Sequence, residues 1–346
     1  MSYTLLRNYL SFAIILLVTL TGCQRHHKET SFYYWKTTYA SDSLLQTNIQ
    51  HLGVKKLYMR IMDIDMDMMG REAVPISPIS FTDTLPPDVG IVPVVFINTK
   101  IFQHMDSLAI RSLAHKVVPF VREKVKQSGA NSFNELQLDC DWTTSSRDKF
   151  FYLIEFMKTF PELANVEVTS TLRLHQIKNI KSSGIPPVSR ATLMCYNMGN
   201  LRKFGPQNSI LNQEDLQLYL KDHLGNYPLK LDVALPLFEW FVVFRNQEYA
   251  GISKRIDRED LENKSLFAHN PNTNLYVLRE DLPEKGLLKN DIIRYETISK
   301  QELMKTASFL KRELKNEDRK IIFYHLDKTI ITSYPNDVLQ KIVDIL

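Results

Sequence analysis

Glycine is scarce in this chain. There are 11 glycines in 346 residues, about 3% against a typical share of about 7%. None of them falls in G-x-G-x-x-G, G-x-x-x-x-G-K or G-x-S-x-G. The first two motifs cradle phosphates and the third presents a nucleophilic serine on a sharp turn. The common dinucleotide, P-loop and serine-hydrolase sites are therefore excluded.

An excess of one charge is also lacking. Lys and Arg number 43 against 39 Asp and Glu, which leaves a formal net charge of +4. A nucleic-acid-binding protein needs a clustered basic face, so we expect no nucleic-acid partner. Hydrophobic residues at 44% and charged residues at 24% are ordinary for a globular protein, which excludes disordered and fibrous classes. We expect no cofactor.

Cysteine is the third scarce residue, with three in the chain. Cys140 and Cys195 fall on the predicted fourth and sixth strands of a parallel sheet, about 9.6 Å apart at two strand spacings. A disulfide requires Cα atoms within about 7 Å of each other. The two residues are therefore predicted to be buried free thiols.

The third cysteine, Cys23, ends a leader-like segment. Arg7 supplies a positive charge, and residues 10–20 (LSFAIILLVTL) form an apolar run that is too short to span a bilayer. The run ends in Leu-Thr-Gly-Cys at 20–23, which resembles a bacterial lipobox. The resemblance implies that residues 1–22 are removed and that Cys23 is acylated. The alternatives are a plain signal peptide and a buried helix with a chance cysteine.

Acylation at Cys23 would place the protein in the cell envelope, since several lipid chains on one residue anchor a protein firmly to a membrane. We expect a periplasmic or surface-exposed position. Residues 23–30 are polar and are predicted to be a solvated tether. His26 and His27 within it could bind a metal, but a polar spacer is favoured.

Short apolar runs alternate with helical segments through residues 31–346, which is typical of βαβ units and a parallel sheet. Eight such runs in one chain of this length favour an α/β fold of the closed (β/α)₈ TIM type over an open sheet. The predicted strands are Phe32–Thr38, Lys56–Ile64, Ile91–Asn98, Glu135–Trp142, Val166–Leu174, Ala191–Asn197, Leu231–Trp240 and Lys320–Leu326.

Two connections depart from the regular alternation. Residues 65–90 carry four prolines, so the second helix is predicted to be replaced by a long loop. Residues 241–319, between strands seven and eight, contain strand-like runs at Leu275–Leu278 and Asp291–Tyr295 and a helix near Lys300–Leu314. We interpret them as a small α+β insertion on the C-terminal face, where barrel enzymes build their sites.

The fourth strand carries two carboxylates of the same parity. Because side chains alternate along a strand, Gln137, Asp139, Asp141 and Thr143 share one face, and the apolar residues between them share the other. The apolar face packs on helices, so both carboxylates are predicted to face into the barrel. Two like charges at such a distance raise one pKa and so prepare an acid/base group.

A structural role for this pair stays open. The pair could be neutralised by an inward cation, and Arg60 on strand two has the required parity, since Leu57, Met59 and Ile61 lie on the other face.

Three motifs resemble family 18 glycoside hydrolases. Asp139-x-Asp141-Trp142 is similar to the strand-four motif D-G-x-D-x-D-W-E of that family. The residues at 194–197 (MCYN) resemble its strand-six M-x-Y-D, and those at 234–238 (ALPLF) resemble its strand-seven G-L-P-F-Y. Many members also carry an insertion after strand seven. The likeness is greatest to uncharacterised bacterial lipoproteins with such barrels.

The sequence departs from that family at its catalytic positions. Thr143 stands where the family has its general acid Glu, Leu136 stands at the first Asp, and Asn197 stands at the strand-six Asp. A threonine hydroxyl cannot protonate a leaving group near neutral pH as a raised carboxyl can. Whether the protein is an enzyme is therefore left open.

The resemblance implies a glycan at the C-terminal face. If the protein is an enzyme, we expect Asp141 to be the acid/base and Asp139 to tune its pKa. Tyr196 and Asn197 would then position the substrate, and the remaining predicted contacts are Trp35, Arg60 and Trp240.

Two non-enzymatic alternatives are a carbohydrate-binding module with the same cleft and a scaffold lipoprotein. Buried carboxylates without a function carry a cost, which argues against the scaffold.

Other side chains are candidate replacement acids. Glu239 has the outward parity of its strand, and Asp327 and His325 are candidates by position alone. Asp63, Asp65 and Asp67 lie at the C-terminal edge after strand two and are better placed.

These three carboxylates also resemble the start of a calcium loop, but the turn glycine is missing, so an EF-hand is excluded. A looser cation site and solvated loop charges are the alternatives, and we predict no metal.

Overall fold

A closed ring of eight parallel strands forms the centre of the molecule, in a computed structural model that describes residues 26–346. In chain order the strands are β1 (Lys28–Tyr34), β2 (Thr38–Tyr39), β3 (Lys56–Met66), β4 (Ala73–Ile76), β5 (Ser80–Phe81), β6 (Gly90–Ile97), β7 (Glu135–Asp139), β8 (Glu167–Arg173), β9 (Arg190–Met194), β10 (Lys230–Pro236), β11 (Trp240–Arg245), β12 (Glu248–Ser253), β13 (Phe267–His269), β14 (Leu275–Leu278), β15 (Ile292–Glu296) and β16 (Arg319–Tyr324). The barrel consists of β1, β3, β6, β7, β8, β9, β10 and β16. Pairing of β1 with both β3 and β16 closes the ring.

Helices surround the barrel on its outside. They are α1 (Ser43–His51), α2 (Ser107–Gln127), α3 (Arg147–Met157), α4 (Leu174–Lys178), α5 (Ile180–Ser183), α6 (Gln213–Leu220), α7 (Arg258–Glu262), α8 (Lys300–Glu313), α9 (Lys328–Ile331) and α10 (Asn336–Ile345). Side-chain caps fix several of the starts. Asp42, Asp106, Asn212 and Ser299 each accept hydrogen bonds from the first-turn amides of the helix that follows.

This architecture confirms the predicted TIM-type barrel with an insertion between its seventh and eighth strands. The first strand begins at Lys28, so the last three residues of the predicted tether belong to the barrel. Between β3 and β6 the described chain forms β4 and β5 and no helix, as the prolines predicted. Residues 1–25, with the predicted leader and Cys23, lie outside the described residues.

The insertion is a five-stranded antiparallel sheet with the strand order β12-β11-β15-β14-β13. It has a core of its own, which includes Phe241, Val243, Phe267 and Ile293. The sheet begins at Trp240, only four residues after β10 ends, and therefore lies on the C-terminal side of the barrel. The predicted insertion extended to 319, but α8 packs against α10 on the barrel, because its buried Leu303, Ala307 and Leu310 belong to the main core.

The interior of the barrel is polar at its N-terminal end. The Glu135 carboxylate accepts hydrogen bonds from the Tyr58 hydroxyl at 3.0 Å and from Thr169 at 3.0 Å, and it pairs with Lys320. Lys320 also lies 3.9 Å from Asp232, whose burial raises its pKa to about 6 against the opposing charges of Lys320 and Arg190. These buried charges are paired with one another, as their desolvation requires.

A second layer of buried polar side chains lies inside the barrel, nearer its C-terminal end. The Tyr33 hydroxyl donates to Gln137 Oε1 at 2.6 Å, and Gln137 Nε2 donates to Thr192 Oγ1 at 3.0 Å. All three side chains are buried. Gln137 thus faces inward, as its parity predicted, and it links three strands of the ring.

The opposite face of β7 packs outward. Trp142, just beyond the strand, is buried against Phe150 on α3, with ring centroids 5.3 Å apart in a stacked arrangement. Its indole Nε1 donates to the Ser183 carbonyl at 2.8 Å. Within β7 the predicted division therefore holds: Gln137 and Asp139 face inward, and the apolar residues face outward.

Cys140 and Cys195 are free and buried, as predicted. Burial raises the pKa of both thiols, and the charges of Asp139 and Asp141 raise that of Cys140 further. Because the thiolate is the reactive form, we expect neither residue to react with a thiol-specific reagent in the native protein. Titration of the Cys23→Ser protein with a chromogenic disulfide should give fast reaction only in denaturant, and fast labelling of this protein in the folded state would contradict the burial.

None of the helices within residues 26–346 is long and apolar enough to cross a membrane.

Candidate functional site

The carboxyl ends of the barrel strands form a mouth, and the predicted site residues meet there. Trp35 follows β1, Asp141 follows β7, Tyr196 and Asn197 follow β9, and Trp240 follows β10. Asp139 is the last residue of β7, in register with Phe96 on β6. We refer to this set and its immediate neighbours as the barrel mouth.

Aromatic rings form the floor of the barrel mouth. The Tyr324 ring lies 5.8 Å from Trp35, 5.3 Å from Tyr196 and 5.4 Å from Phe238, measured between centroids. Phe238 in turn lies 5.0 Å from Trp240. Trp35, Trp240 and Tyr324 are partly exposed, so parts of these rings remain accessible. Tyr324 was absent from the predicted site because it lies on the eighth strand, to which no sequence motif pointed.

Asp139 is a buried carboxyl at the edge of this floor. It is 5% exposed, and Oδ1 accepts a hydrogen bond from the Thr171 hydroxyl at 2.6 Å. Burial, together with the nearby charge of Asp141, raises the pKa of Asp139 to about 7. The group therefore exchanges a proton near neutral pH, a property suited to acid/base chemistry.

Asp141 differs from Asp139 in its surroundings. Its side chain is 52% exposed and lies 3.7 Å from Arg173 Nε, and Arg173 Nη2 donates to the Asn197 carbonyl at 3.0 Å. β7 ends at Asp139, so the alternation of the strand no longer aims Asp141 into the barrel. The inward direction predicted for Asp141 is therefore wrong, and the buried carboxyl with the raised pKa is Asp139.

Arg60 does not neutralise the carboxylates of strand four, contrary to the structural alternative in the sequence analysis. Its Nη1 donates to Asp63 Oδ2 at 2.6 Å, and its guanidinium lies 5.8 Å from the centre of the Trp35 ring. The pairing register of β3 with β6 shifts between Arg60 and Met62, which breaks the alternation and brings Arg60 and Asp63 to one side. Arg60 remains part of the barrel mouth as a neighbour of Trp35.

Several buried polar atoms around the floor have no hydrogen-bond partner in the described protein. They are Trp35 Nε1, Arg60 Nε, Asp63 Oδ1, Asn197 Oδ1 and His325 Nδ1. Such atoms are rare in folded proteins because leaving them unsatisfied is costly. Five of the eleven such atoms within residues 26–346 belong to residues at or beside this floor, where a polar ligand or water can complete the hydrogen bonding.

Thr143, at the family's acid position, and Glu239, a candidate replacement acid, are both engaged elsewhere. Thr143 is exposed, and its hydroxyl lies 2.9 Å from that of Ser145 in the turn before α3. Glu239 accepts hydrogen bonds from the Tyr295 hydroxyl at 2.6 Å and from Arg258 Nε at 2.7 Å, both in the insertion. Each of these groups therefore serves the local structure.

Asp327, a candidate by position, pairs with Lys36 at 2.5 Å. Although partial burial opposes the shift, the bonds from Lys36 and Thr329 lower the pKa of Asp327 to about 2. Asp327 is thus a fixed charge near neutral pH.

The carboxylates that follow strand two have protein partners as well. Asp65 Oδ2 accepts from the Asn98 side chain at 2.9 Å, and Asp67 Oδ1 accepts from the Arg71 amide at 2.6 Å. Within residues 26–346, no group of three or more His, Cys, Asp or Glu side chains is arranged to hold a metal ion.

The insertion and the loop after β9 form one wall of the barrel mouth. The fully buried Arg294 donates to Glu296 Oε1 at 2.6 Å and to the carbonyls of Leu201 and Lys203 at 2.9 and 2.6 Å. Glu296 Oε2 accepts from the Ser209 amide and hydroxyl at 2.6 and 2.7 Å. The ion pair therefore fixes both ends of this loop to β15.

The same loop begins at the site itself. Ser209 accepts hydrogen bonds through its carbonyl from the amides of Met198 and Gly199, directly after Asn197. Asn197 has a φ of 55°, a left-handed conformation that asparagine tolerates better than most residues. The wall thus fixes the backbone directly after Asn197, whose buried side-chain oxygen has no partner in the described protein.

Several solved structures share this fold. A chitinase from Chromobacterium violaceum matches with a TM-score of 0.54 at 10% identity, over 91% of this chain and 98% of that chain. A family 18 chitinase from Cycas revoluta, solved with allosamidin, matches with a TM-score of 0.53 at 14% identity, over 92% and 99%. The spore cortex-lytic enzyme SleL from Bacillus cereus matches with a TM-score of 0.53 at 11% identity, over 92% and 74%. No protein-family model and no curated protein matches the chain.

At these identities the likeness establishes the fold: the chain forms a TIM barrel like that of family 18 glycoside hydrolases. The fold implied by the sequence motifs is therefore confirmed.

Proposed function

We propose that this protein is a lipid-anchored component of a bacterial cell envelope that binds a glycan in the barrel mouth. One observation carries the proposal: an aromatic floor surrounded by buried polar atoms without partners, among them Trp35 Nε1, Arg60 Nε and Asn197 Oδ1. Binding sites for small molecules combine an apolar surface with a few convergent polar groups in this way.

A sugar ring fits both the aromatic floor and the unpartnered polar atoms around it. The C–H groups of a pyranose form an apolar face that stacks on flat aromatic rings such as those of Trp35 and Trp240. The hydroxyls around its edge donate and accept hydrogen bonds, which the unpartnered atoms require. Structures with the same fold contain N-acetylglucosamine oligosaccharides, so these are the first ligands to test.

The surroundings of the carboxylates near the barrel mouth favour binding of the glycan without its cleavage. The position of the family's general acid is the exposed Thr143, and both Asp141 and Glu239 are paired with arginines. These groups therefore supply no carboxylic acid beside a leaving group near neutral pH.

A hydrolase is the second candidate, and Asp139 is the observation that favours it. Its pKa of about 7 would allow it to donate and recover a proton near neutral pH. Turnover that disappears in Asp139→Asn while binding persists would select this candidate, and the absence of turnover in both proteins would select binding alone.

Removing one ring from the floor should weaken binding of the glycan. We expect Trp240→Ala and Trp35→Ala each to raise the dissociation constant by about tenfold or more, which corresponds to about 1.4 kcal/mol of stacking. Calorimetric titration of the purified protein with N-acetylglucosamine oligosaccharides measures this. Tyr152→Ala, on the outer helix α3, is the matched control and should bind like the wild type. Equal affinity in all the variants would contradict the proposed floor.

The lipid anchor is proposed from the motif at residues 20–23 alone. Growth of producing cells with a radioactive fatty acid should label the wild-type protein and leave Cys23→Ser unlabelled. Labelling of the Cys23→Ser variant, or of neither protein, would remove the anchor from the proposal without affecting the glycan site.

A further inference from the structure

The point at which the chain enters the barrel limits how an anchored molecule can sit on its membrane. We infer that the N-terminal end of the barrel rests against the anchoring bilayer and that the barrel mouth points away from it. This inference rests on the proposed acylation of Cys23. The partner that it names is the surface of the lipid bilayer itself.

The available length of chain is short. β1 begins at Lys28, and the backbone is already held one residue earlier, where the His27 amide donates to Asp318 Oδ1 at 2.7 Å. Five Cα steps from Cys23 to Lys28 span at most about 18 Å, even when fully extended. The start of β1 therefore cannot lie farther than this from the acylated residue.

The barrel is taller than that limit. The eleven residues of β3, which pairs with β1 from Phe32 and Leu57 onward, make ten steps and rise about 33 Å along the strand, or about 27 Å along the barrel axis at the usual tilt of about 36°. The loops of the mouth and the five-stranded insertion add to this height on the C-terminal side. For the mouth to touch the bilayer, the start of β1 would have to stand farther from it than the tether can reach.

The N-terminal end also carries side chains that suit a phospholipid surface. Lys55 and Lys230, at the starts of β3 and β10, are exposed. Lys311, at the end of α8, is exposed too and lies close enough to Lys28 to add to the effect of burial in lowering the pKa of Lys28. Lysines beside a bilayer attract anionic headgroups. Asp88 and Asp318, before β6 and β16, are exposed at the same end, so its charge is mixed and the orientation rests on the length of the tether.

This orientation limits which glycans can reach the barrel mouth. A site that faces away from the bilayer meets sugar chains that stand off the membrane, such as polymers or soluble fragments. It does not meet the headgroups of glycolipids embedded in the leaflet that holds the anchor.

Fluorescence quenching by lipids tests the orientation. Lys230→Cys, at the N-terminal end, and Lys203→Cys, on the loop after β9, are each labelled with a polarity-insensitive dye; the native Cys140 and Cys195 are buried. The acylated proteins are reconstituted in phosphatidylethanolamine–phosphatidylglycerol vesicles that carry nitroxide at the headgroup. We expect the dye at 230 to lose most of its fluorescence and the dye at 203 to keep most of it.

A lengthened tether is the matched control. Ten Gly-Ser residues inserted between Arg25 and His26 should bring the two quenching values close together, because the restraint on orientation is removed. Equal quenching in the unmodified chain, or stronger quenching at 203, overturns the orientation. If the acylated chain does not float with vesicles at all, the anchor itself fails and the inference fails with it.

Discussion

Replacing Asp139 with asparagine is expected to stabilise the folded protein above neutral pH. The carboxyl is buried, and its pKa is raised from an ordinary value near 3.8 to about 7 by that burial and by Asp141. Asparagine resembles the protonated carboxyl and can still accept the hydrogen bond from Thr171. The variant thus avoids the cost of holding a buried charge.

The sign of the pH dependence follows from proton binding. Between pH 4 and 7 the folded state keeps the proton on Asp139 while the unfolded state releases it, so stability falls as the pH rises. A difference of about three pKa units corresponds to about 4 kcal/mol, fully developed above pH 7 and absent below pH 4. The advantage of Asp139→Asn over the wild type should therefore grow between these limits.

Urea denaturation of both proteins at pH 5, 6, 7 and 8 measures this difference. Subtracting the two curves removes the contributions of other groups, such as Asp232, which also titrates abnormally. A constant difference across the range would show that Asp139 is ionised throughout and would remove its role as a proton donor. Asp141→Asn is the companion variant, because losing the neighbouring charge should reduce the slope.

Replacing Glu296 with alanine is expected to destabilise the protein by about 3–5 kcal/mol. The change leaves the guanidinium of Arg294 fully buried without its counter-charge, and it removes the acceptor of the Ser209 amide and hydroxyl. Breaking one side of a buried pair costs more than the pair contributes, because the remaining charge cannot be solvated.

The midpoint and slope of urea unfolding give the free energy for this comparison. Asp337→Ala breaks the exposed pair with Lys341 and should change the stability little. Replacing both partners with apolar residues, Arg294→Met with Glu296→Leu, should recover part of the loss, since no buried charge is left behind. Similar small effects in all three proteins would contradict the buried pair.

The fold could be predicted largely from the sequence. The apolar runs of the eight strands, the prolines that replace the second helix and the strand-like runs of the insertion are local signals, and each corresponds to an observed element. The inward direction of Gln137 and Asp139 followed from the alternation of side chains along β7. This rule holds only within the strand.

Beyond the end of β7 the same rule was wrong. Asp141 follows the strand, where no ladder fixes the direction of side chains. Arg60 lies at a shift of register that no sequence pattern marks. The inward direction predicted for Asp141 was therefore wrong, and Arg60 pairs with Asp63 instead of the strand-four carboxylates.

Partners distant in sequence were missed altogether. Arg294 and Glu296 bind a loop about 90 residues earlier in the chain, and this contact has no local signal. Arg173 could have been found, because it shares the parity of Thr169 and Thr171, whose hydroxyls bind inward carboxylates.

The position of Thr143 bears on how such a barrel changes through evolution. Its side chain is exposed in a turn, outside the hydrogen-bonded levels that Gln137 and Glu135 organise within the ring. A substitution at Thr143 therefore leaves those levels intact, whereas a change at Gln137 removes the partner of both Tyr33 and Thr192. The rim of the barrel can thus vary in sequence while its interior stays fixed.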